Sequence, residues 1–285
     1  MKRLLTLALA VLMIAGCALS FASCSKYEMK FGKDFSPQSS QMDVLLALNA
    51  KSIDVGVMDS IMAGYYMSKD TTYANSLMIV EGLVLATEQY GIAARKGSGF
   101  AKVLNATLIQ LAKDGVVNEI AKKYGLENEI CIDTNAVVAE PTAEEMEDIT
   151  YIINQGKFIV GYTLFAPIAF KDDNDNLVGF DIDLAKAVAE YLEIDVQFEL
   201  IEWSTKEAKL EAKTIDCIWN GMTITEERQA NMAVTIPYMN NKQVAIIRKA
   251  DKDIYKTKED MAKALLGAED GSAGMDCCVV VKEEE

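Results

Sequence analysis

Histidine is absent from all 285 residues. That absence removes Ser-His and Cys-His nucleophile pairs and every histidine-based metal site. An enzyme built on this chain would have to rely on carboxylates, lysine or tyrosine. Proline is scarce, at four residues, and no long low-complexity segment occurs. Six cysteines are present, Cys17, Cys24, Cys131, Cys217, Cys277 and Cys278, without a CxxC pair among them. Zinc and thioredoxin-type chemistry therefore have little support, and no motif calls for a metal or cofactor. Positive charge is also short. The 28 Lys and Arg stand against 43 Asp and Glu, for a net charge of −15. Nucleic acid is excluded as a partner on this balance, because phosphate contacts need clustered Lys and Arg.

What is present is enough for a core. Hydrophobic residues make up 51% of the chain, and the length accommodates two domains of ordinary size. The first residues read as an export signal: a basic MKR, then the apolar run LLTLALAVLMIAG. The run is too short and too near the N-terminus for a permanent span. Ala15-Gly16-Cys17 and Ala22-Ser23-Cys24 both resemble bacterial lipoprotein processing boxes, in which the cysteine becomes the lipidated first residue. Residues 1–24 are expected to be this signal and tether, with Cys17 or Cys24 lipidated. A plain cleaved signal is the alternative, and export follows from either.

The remainder alternates between strand and helix patterns. EMKF, IDVGVMD, LMIV and YGIAARK read as strands. Ser39–Lys51 and IMAGYYMSK have helical spacing. GFAKVLNATLIQLAKDGVVNEIAKKYG reads as one long amphipathic helix ended by Gly125, and the acidic stretch 127–145 as a linker. Beyond it, FIVGYTLF, VQFELI, IDCIW, KQVAIIRK and KALLGAEDG are expected strands. FDIDLAKAVAEYLE, STKEAKLEAK and ITEERQAN are expected helices, and a further helix is expected to begin near Ser272. Cys217 falls inside an apolar strand and is expected to be packed there.

LNAKSIDVGVMD (48–59) and LEAKTIDCIWNG (210–221) share one plan: a helix ending in Ala-Lys, one polar residue, Ile-Asp, then an apolar strand with a polar or small end. Two such units would bring Asp59 and Asn220-Gly221 to carboxyl edges of sheets, where open α/β sheets bind ligands. Chance likeness of two common helix-strand units is the competing explanation.

Around the second unit lies WNGMTITEERQ. Arg228 offers a planar fork for a carboxylate, Gly221 lets a backbone N–H approach the same oxygens, and Thr223 adds a hydroxyl. Alternatively Arg228 pairs with Glu226 or Glu227 on a solvated face. Gly271-Ser272-Ala273-Gly274 marks a strand-to-helix turn, which favours an anion or is an ordinary capped turn. Asp59 is placed to receive an ammonium, or to cap the helix that follows. Together these groups offer a carboxylate clamp and an ammonium acceptor, the two demands of a free α-amino acid.

The segments GYTLFAPIAFKDDNDNLVGFDIDLAKAV and IDCIWNGMTITEERQ resemble the first lobe of bacterial extracellular solute-binding proteins of the polar amino-acid type (family 3), which serve ABC importers. LEAKTID, IPYMNNKQVAIIRK and GAEDGSAG fit the same pattern. QMDVLLALNAKSIDVGVMDSIMAGYY, EQYGIAARKG and LAKDGVVNEIAKKYG are similar to that family's second half. The resemblance implies an α/β fold of the two-lobed, type II periplasmic-binding-protein kind, each lobe a sheet flanked by helices, joined by a hinge. It also implies a non-enzymatic receptor whose partners are a free amino acid, an ABC permease and, through the lipid, the outer face of the cell membrane or the periplasm. By position, Arg228 would bind the ligand carboxylate, with Gly221 and Thr223 assisting and Asn220 lining the strand end. Asp59 would hold the ammonium, Ser272 and Ala273 would contribute largely through backbone, and Phe165 and Trp203 would wall the ligand. Tyr162, Thr163 and Phe165 bring no acid, which disfavours a cationic ligand side chain.

The order departs from the family, because second-half motifs come first. The expectation is a circular permutation, with 28–82 and 258–285 forming the second lobe, 83–126 and 146–250 the first, and 127–145 joining the old ends. A fragment spanning two tandem domains, with impaired binding, is the plainer alternative for the order. A dehydratase-like enzyme on the same scaffold is the alternative for the function.

Overall fold

The computed structural model describes residues 26–69 and 71–282. Cys17 and Cys24 lie outside the described residues. Residues 29–280 form one compact unit. Residues 26–28 and 281–282 belong to a second, small unit, in which the Lys282 N–H donates to the Lys26 carbonyl (3.0 Å).

The main strands are β1 (Asp34–Gln38), β2 (Val55–Asp59), β3 (Leu77–Ala94), β4 (Lys157–Tyr162), β5 (Asp195–Leu200), β6 (Cys217–Thr223), β7 (Met239–Arg248) and β8 (Leu265–Glu269). They form one sheet in the order β1-β8-β2-β7-β3-β6-β4-β5, with residues 233–234 pairing to β3 as a ninth strand. Pairing within β1-β8-β2 and within β6-β4-β5 is parallel. The two parallel ends are joined through β7 and β3, which run antiparallel to each other and to their outer neighbours. This is a two-lobed α/β architecture with two strands crossing between the lobes. The β7–β3 register shifts between Gln243 and Ile246, so the pairing is irregular where the lobes meet.

Helices flank the sheet: α1 (Gln41–Asn49), α2 (Ser60–Lys69), α3 (Phe100–Lys113), α4 (Val116–Tyr124), α5 (Glu145–Gln155), α6 (Phe180–Leu192), α7 (Glu226–Asn231) and α8 (Ala273–Cys278). A sheet with parallel ends needs such cover, because both faces of its strands are apolar. β2 and β6 are buried at every residue. Helix α6 buries Phe180, Ile182, Leu184 and Val188. Each full burial of a side chain this size stabilises the fold by about 1.5–3 kcal/mol.

The echo between 48–59 and 210–221 extends to hydrogen bonding. Asp216, just before β6, accepts from Arg95 Nη2 (2.8 Å) and from the Ile159 N–H on β4 (2.9 Å). Asp54, just before β2, accepts from Arg248 Nη2 (3.1 Å) and from the Leu265 N–H on β8 (3.0 Å). Each arginine also donates Nη1 to the preceding isoleucine carbonyl, Arg95 to Ile215 (2.8 Å) and Arg248 to Ile53 (2.6 Å). Each Ile-Asp pair therefore ties the end of a crossing strand to the start of a parallel strand. Charge-assisted bonds of this kind are the stronger ones.

Several expectations are corrected. LMIV and YGIAARK are parts of one 18-residue strand, β3. The long helix is two helices, α3 and α4, because Gly115 sits at φ +83°, a backbone state that ends a helix. The helix near Ser272 spans only 273–278 and gives way to a strand at Val279–Val281, where three valines favour extended backbone. DFSPQ forms strand β1, and Pro37 is tolerated because β1 is an edge strand. Cys217 is fully buried, as its apolar surroundings suggested.

Candidate functional site

Three capped helix starts gather at one edge of the sheet. In TITEERQ, Thr225 caps α7 by accepting the Arg228 N–H (3.1 Å). The cap leaves Glu226 and Glu227 exposed and turns Arg228 inward, where it is 6% exposed. Ser40 caps α1 by accepting the Asp43 N–H (3.1 Å), which sets Gln41 at the first helical position. Ser272 caps α8 by accepting the Met275 N–H (3.2 Å).

The side chains so placed line a narrow cavity of about 20 Å³, which as it stands has room for little more than a water molecule. All nine residues singled out for binding, Arg228, Thr223, Gly221, Asn220, Asp59, Ser272, Ala273, Phe165 and Trp203, border it. They come from both parallel ends of the sheet. Gln41, Gln243 and Glu269 border it as well.

The cationic side of the cavity belongs to Arg228. Its Nη1 donates to the Thr223 carbonyl (2.8 Å) and its Nη2 to the Gly271 carbonyl (3.4 Å). Lys206 Nζ donates to the same Gly271 carbonyl (3.2 Å) and lies 4.9 Å from the centre of the Trp203 ring. Burial, together with the charge of Arg228, lowers Lys206 to a pKa of about 8. A carboxylate beside Arg228 would be met in a largely dewatered setting, where charge-assisted bonds are strong.

The acidic side is built around Asp59. Its Oδ1 accepts from Tyr90 Oη (2.8 Å), from Gln243 Nε2 (2.9 Å) and from Asn241 Nδ2. Its Oδ2 accepts from Gln41 Nε2. None of these bonds is a helix cap. The Ile61 N–H, at the start of α2, goes instead to Asn241 Oδ1 (3.4 Å). Gln243 Nε2 and Asn241 Nδ2 also donate to Glu88 Oε1, at 2.8 and 2.5 Å. Two buried carboxyl groups therefore share the same amide donors. Burial, then the charge of Glu88, raise Asp59 well above the usual carboxylate range. An added cation at this point would relieve that pressure.

Gly221 contributes differently from expectation. Its N–H donates to Asp181 Oδ2 (2.8 Å), so its amide is already committed within the protein. Its value lies in space and conformation: at φ +61° an added Cβ would stand 2.6 Å from Phe165 Cε1. Asp181 also accepts from Tyr238 Oη (2.9 Å), and burial raises it to a pKa of about 7. Phe165 packs edge-on to Tyr90, linking the aromatic wall to the Asp59 network. Asn220 Nδ2 donates to Thr163 Oγ1 (2.7 Å). Asn220 Oδ1 and Gln243 Oε1 are buried with no hydrogen-bond partner among the described residues.

Sequence reasoning missed Gln41, Glu88, Tyr90, Lys206, Asn241, Gln243 and Glu269. Glu269 had a readable signal, because it ends the apolar strand LLGAE as Asp59 ends VGVMD. Gln243 is the last of the polar residues leading into VAII. Lys206 lies in the charged stretch STKEAKLEAK and gave no sign of being buried. The expectation that the pocket near Tyr162, Thr163 and Phe165 has no acid is corrected by Glu269, which borders the cavity together with Thr163 and Phe165.

Residues 158–272 match the family model of bacterial extracellular solute-binding proteins, family 3. The chain is 36% identical over 99 residues to the ABC transporter arginine-binding protein 1 of Escherichia coli (strain K12), covering 35% of this chain and 40% of that protein. It is 26% identical over 136 residues to the L-cystine-binding protein TcyJ of the same organism, covering 46% of this chain and 51% of that one. Among solved structures, the Phe57Trp mutant of arginine-bound domain 1 from TmArgBP is 35% identical. That match covers 40% of this chain and 92% of that domain, with a TM-score of 0.32. The chain spans about half the length, or less, of these curated relatives.

Proposed function

Because residues 158–272 match the family 3 bacterial extracellular solute-binding proteins, we propose that the chain is an extracytoplasmic receptor that binds a free amino acid and delivers it to an ABC importer. The observation that carries this reading is the opposition of Arg228 and Asp59 on one cavity, each brought from a different parallel end of the sheet. An α-amino acid zwitterion answers both at once. Arg228 takes the carboxylate, with Thr223 and Asn220 beside it. Asp59 takes the ammonium. Ser272 and Ala273, next to the Gly271 carbonyl that Arg228 holds, border the ligand as well, and Phe165 and Trp203 wall it.

Contacts made to both lobes together favour the closed arrangement, with β3 and β7 as the hinge. The two lobes are residues 28–82 with 258–285, and 83–126 with 146–250, in permuted order. The position of β8 between β1 and β2 supports that grouping. Two relatives, an arginine-binding and a cystine-binding protein, are consistent with an amino-acid ligand. Binding without turnover is proposed, since the site's charges match the two ends of a ligand. No helix among the described residues is long and apolar enough to cross a membrane, and attachment through lipid on Cys17 or Cys24 is part of the proposal.

A thermal-shift panel of the L-amino acids, run on protein refolded from denaturant, tests this reading. A binder raises the melting temperature in a concentration-dependent way. A flat panel would remove the proposal.

A further inference from the structure

Resting on the amino-acid reading, we infer that the ligand's side chain is positively charged and that Glu269 receives the charge. Glu269 stands at the carboxyl end of β8, is 5% exposed, and borders the inner cavity. It also borders a wider groove that leads outward and shares Thr163, Leu164 and Phe165 with that cavity. A ligand gripped at its α-groups by Arg228 and Asp59 can extend past Phe165 and Glu269 into this groove.

The lining fits a cation there. Arg228 and Asp59 are engaged by the two α-groups, which leaves Glu269 as a further buried acid. Lys206 attracts Glu269 from a distance but spends its own hydrogen bond on the Gly271 carbonyl. Asn220 Oδ1 and Gln243 Oε1, 4% and 1% exposed by residue, are unpartnered acceptors on the same cavity. A guanidinium or ammonium carries the several N–H donors that such acceptors lack. Phe165 and Trp203 add aromatic faces suited to a cation. The outer groove continues the theme with Asp172, Asp173 and Glu202 against Lys171.

Proton balance gives an independent readout. Burial lifts Glu269 to a pKa of about 8, with Asp43 and Asp270 raising it and Lys206 and Gln41 lowering it. At pH 7 the carboxyl therefore holds a proton. A ligand cation would expel that proton to solvent as Glu269 ionises.

The test is calorimetry at pH 7 in buffers of different ionisation enthalpy. Arginine is compared with citrulline, and lysine with norleucine, on the wild-type protein and on Glu269→Gln. The expected result is at least tenfold tighter binding of a cationic ligand than of its neutral counterpart, with net proton release. Glu269→Gln should remove most of that preference and the proton release that the cationic ligands show beyond their neutral counterparts, while the neutral ligands change by less than about threefold. If the neutral ligands bind as tightly as the cationic ones, or if Glu269→Gln weakens all four alike, the inference is overturned and the amino-acid reading stands. If none of the L-amino acids binds, the amino-acid reading falls and takes the inference with it.

Discussion

Replacing Asp59 with asparagine separates the ammonium role from a structural one. The change keeps the shape of the side chain. Oδ1 can go on accepting from Tyr90, Asn241 and Gln243, the donors that surround it. The new amide nitrogen would face Gln41 Nε2, donor against donor. Turning the Gln41 amide to relieve this sacrifices its bond from the Asp59 N–H to Oε1 (3.1 Å). That costs about 1 kcal/mol, typical of one net hydrogen bond. Against it, the mutation removes one of two buried carboxyl groups that repel each other across shared donors. The two effects oppose, so global stability changes little. Binding is another matter. An ammonium bonded to a charged partner is worth roughly 1.5–3 kcal/mol, or about ten- to more than a hundredfold in Kd. The assay is calorimetry with one amino acid and with the matching carboxylic acid that lacks the amine. The amino acid should lose this factor, and the amine-free acid should bind Asp59→Asn as well as wild type or better. Equal losses for both would show that Asp59 only shapes the cavity.

Arg228→Ala should weaken amino-acid binding by about 2–5 kcal/mol, because the ligand carboxylate would be buried without its partner; a change under about threefold by calorimetry would remove the carboxylate assignment. Gly221→Ala should lower unfolding stability by about 1–3 kcal/mol, since its Cβ meets Phe165 and its φ of +61° disfavours any side chain; an unchanged urea midpoint would contradict this. Asp181 carries a pH signature. Its folded pKa of about 7 lies above the unfolded value near 3.8, so the folded state holds a proton that the unfolded chain gives up. Its contribution to stability is therefore present at low pH and lost as the pH rises through that window, at up to ~1.4 kcal/mol per pH unit. Asp181→Asn should flatten that part of the stability-pH curve, and identical curves would refute the buried-acid account.

The parts of this fold that were legible in the sequence are those set by local pattern. The apolar runs of β2 and β6, their shared Ile-Asp entry and their polar ends are all visible in one dimension. So is the cap-and-fork arrangement of Thr225 and Arg228, once the exposed glutamates are read as the outer face. What stayed hidden depends on chain segments far apart. The pairing of Asp54 with Arg248 and of Asp216 with Arg95 joins residues separated by 194 and 121 positions. The single strand β3 looked like two, because Glu81-Gly82 and Thr87-Glu88-Gln89 interrupt its apolar run. The Asp59 network draws Gln41, Glu88, Tyr90, Asn241 and Gln243 from three other segments, and no spacing rule connects them. Lys206 is buried because the Gly271 carbonyl and the Trp203 ring receive it, a tertiary fact with no local trace.

The central claim is that one cavity grips both ends of an amino-acid zwitterion, and it is tested most directly by calorimetric titration of refolded protein with each L-amino acid in turn. The account predicts saturable binding of at least one, at one ligand per chain, with a negative heat-capacity change from closure over the ligand. The absence of binding heat at several temperatures for every amino acid would contradict it.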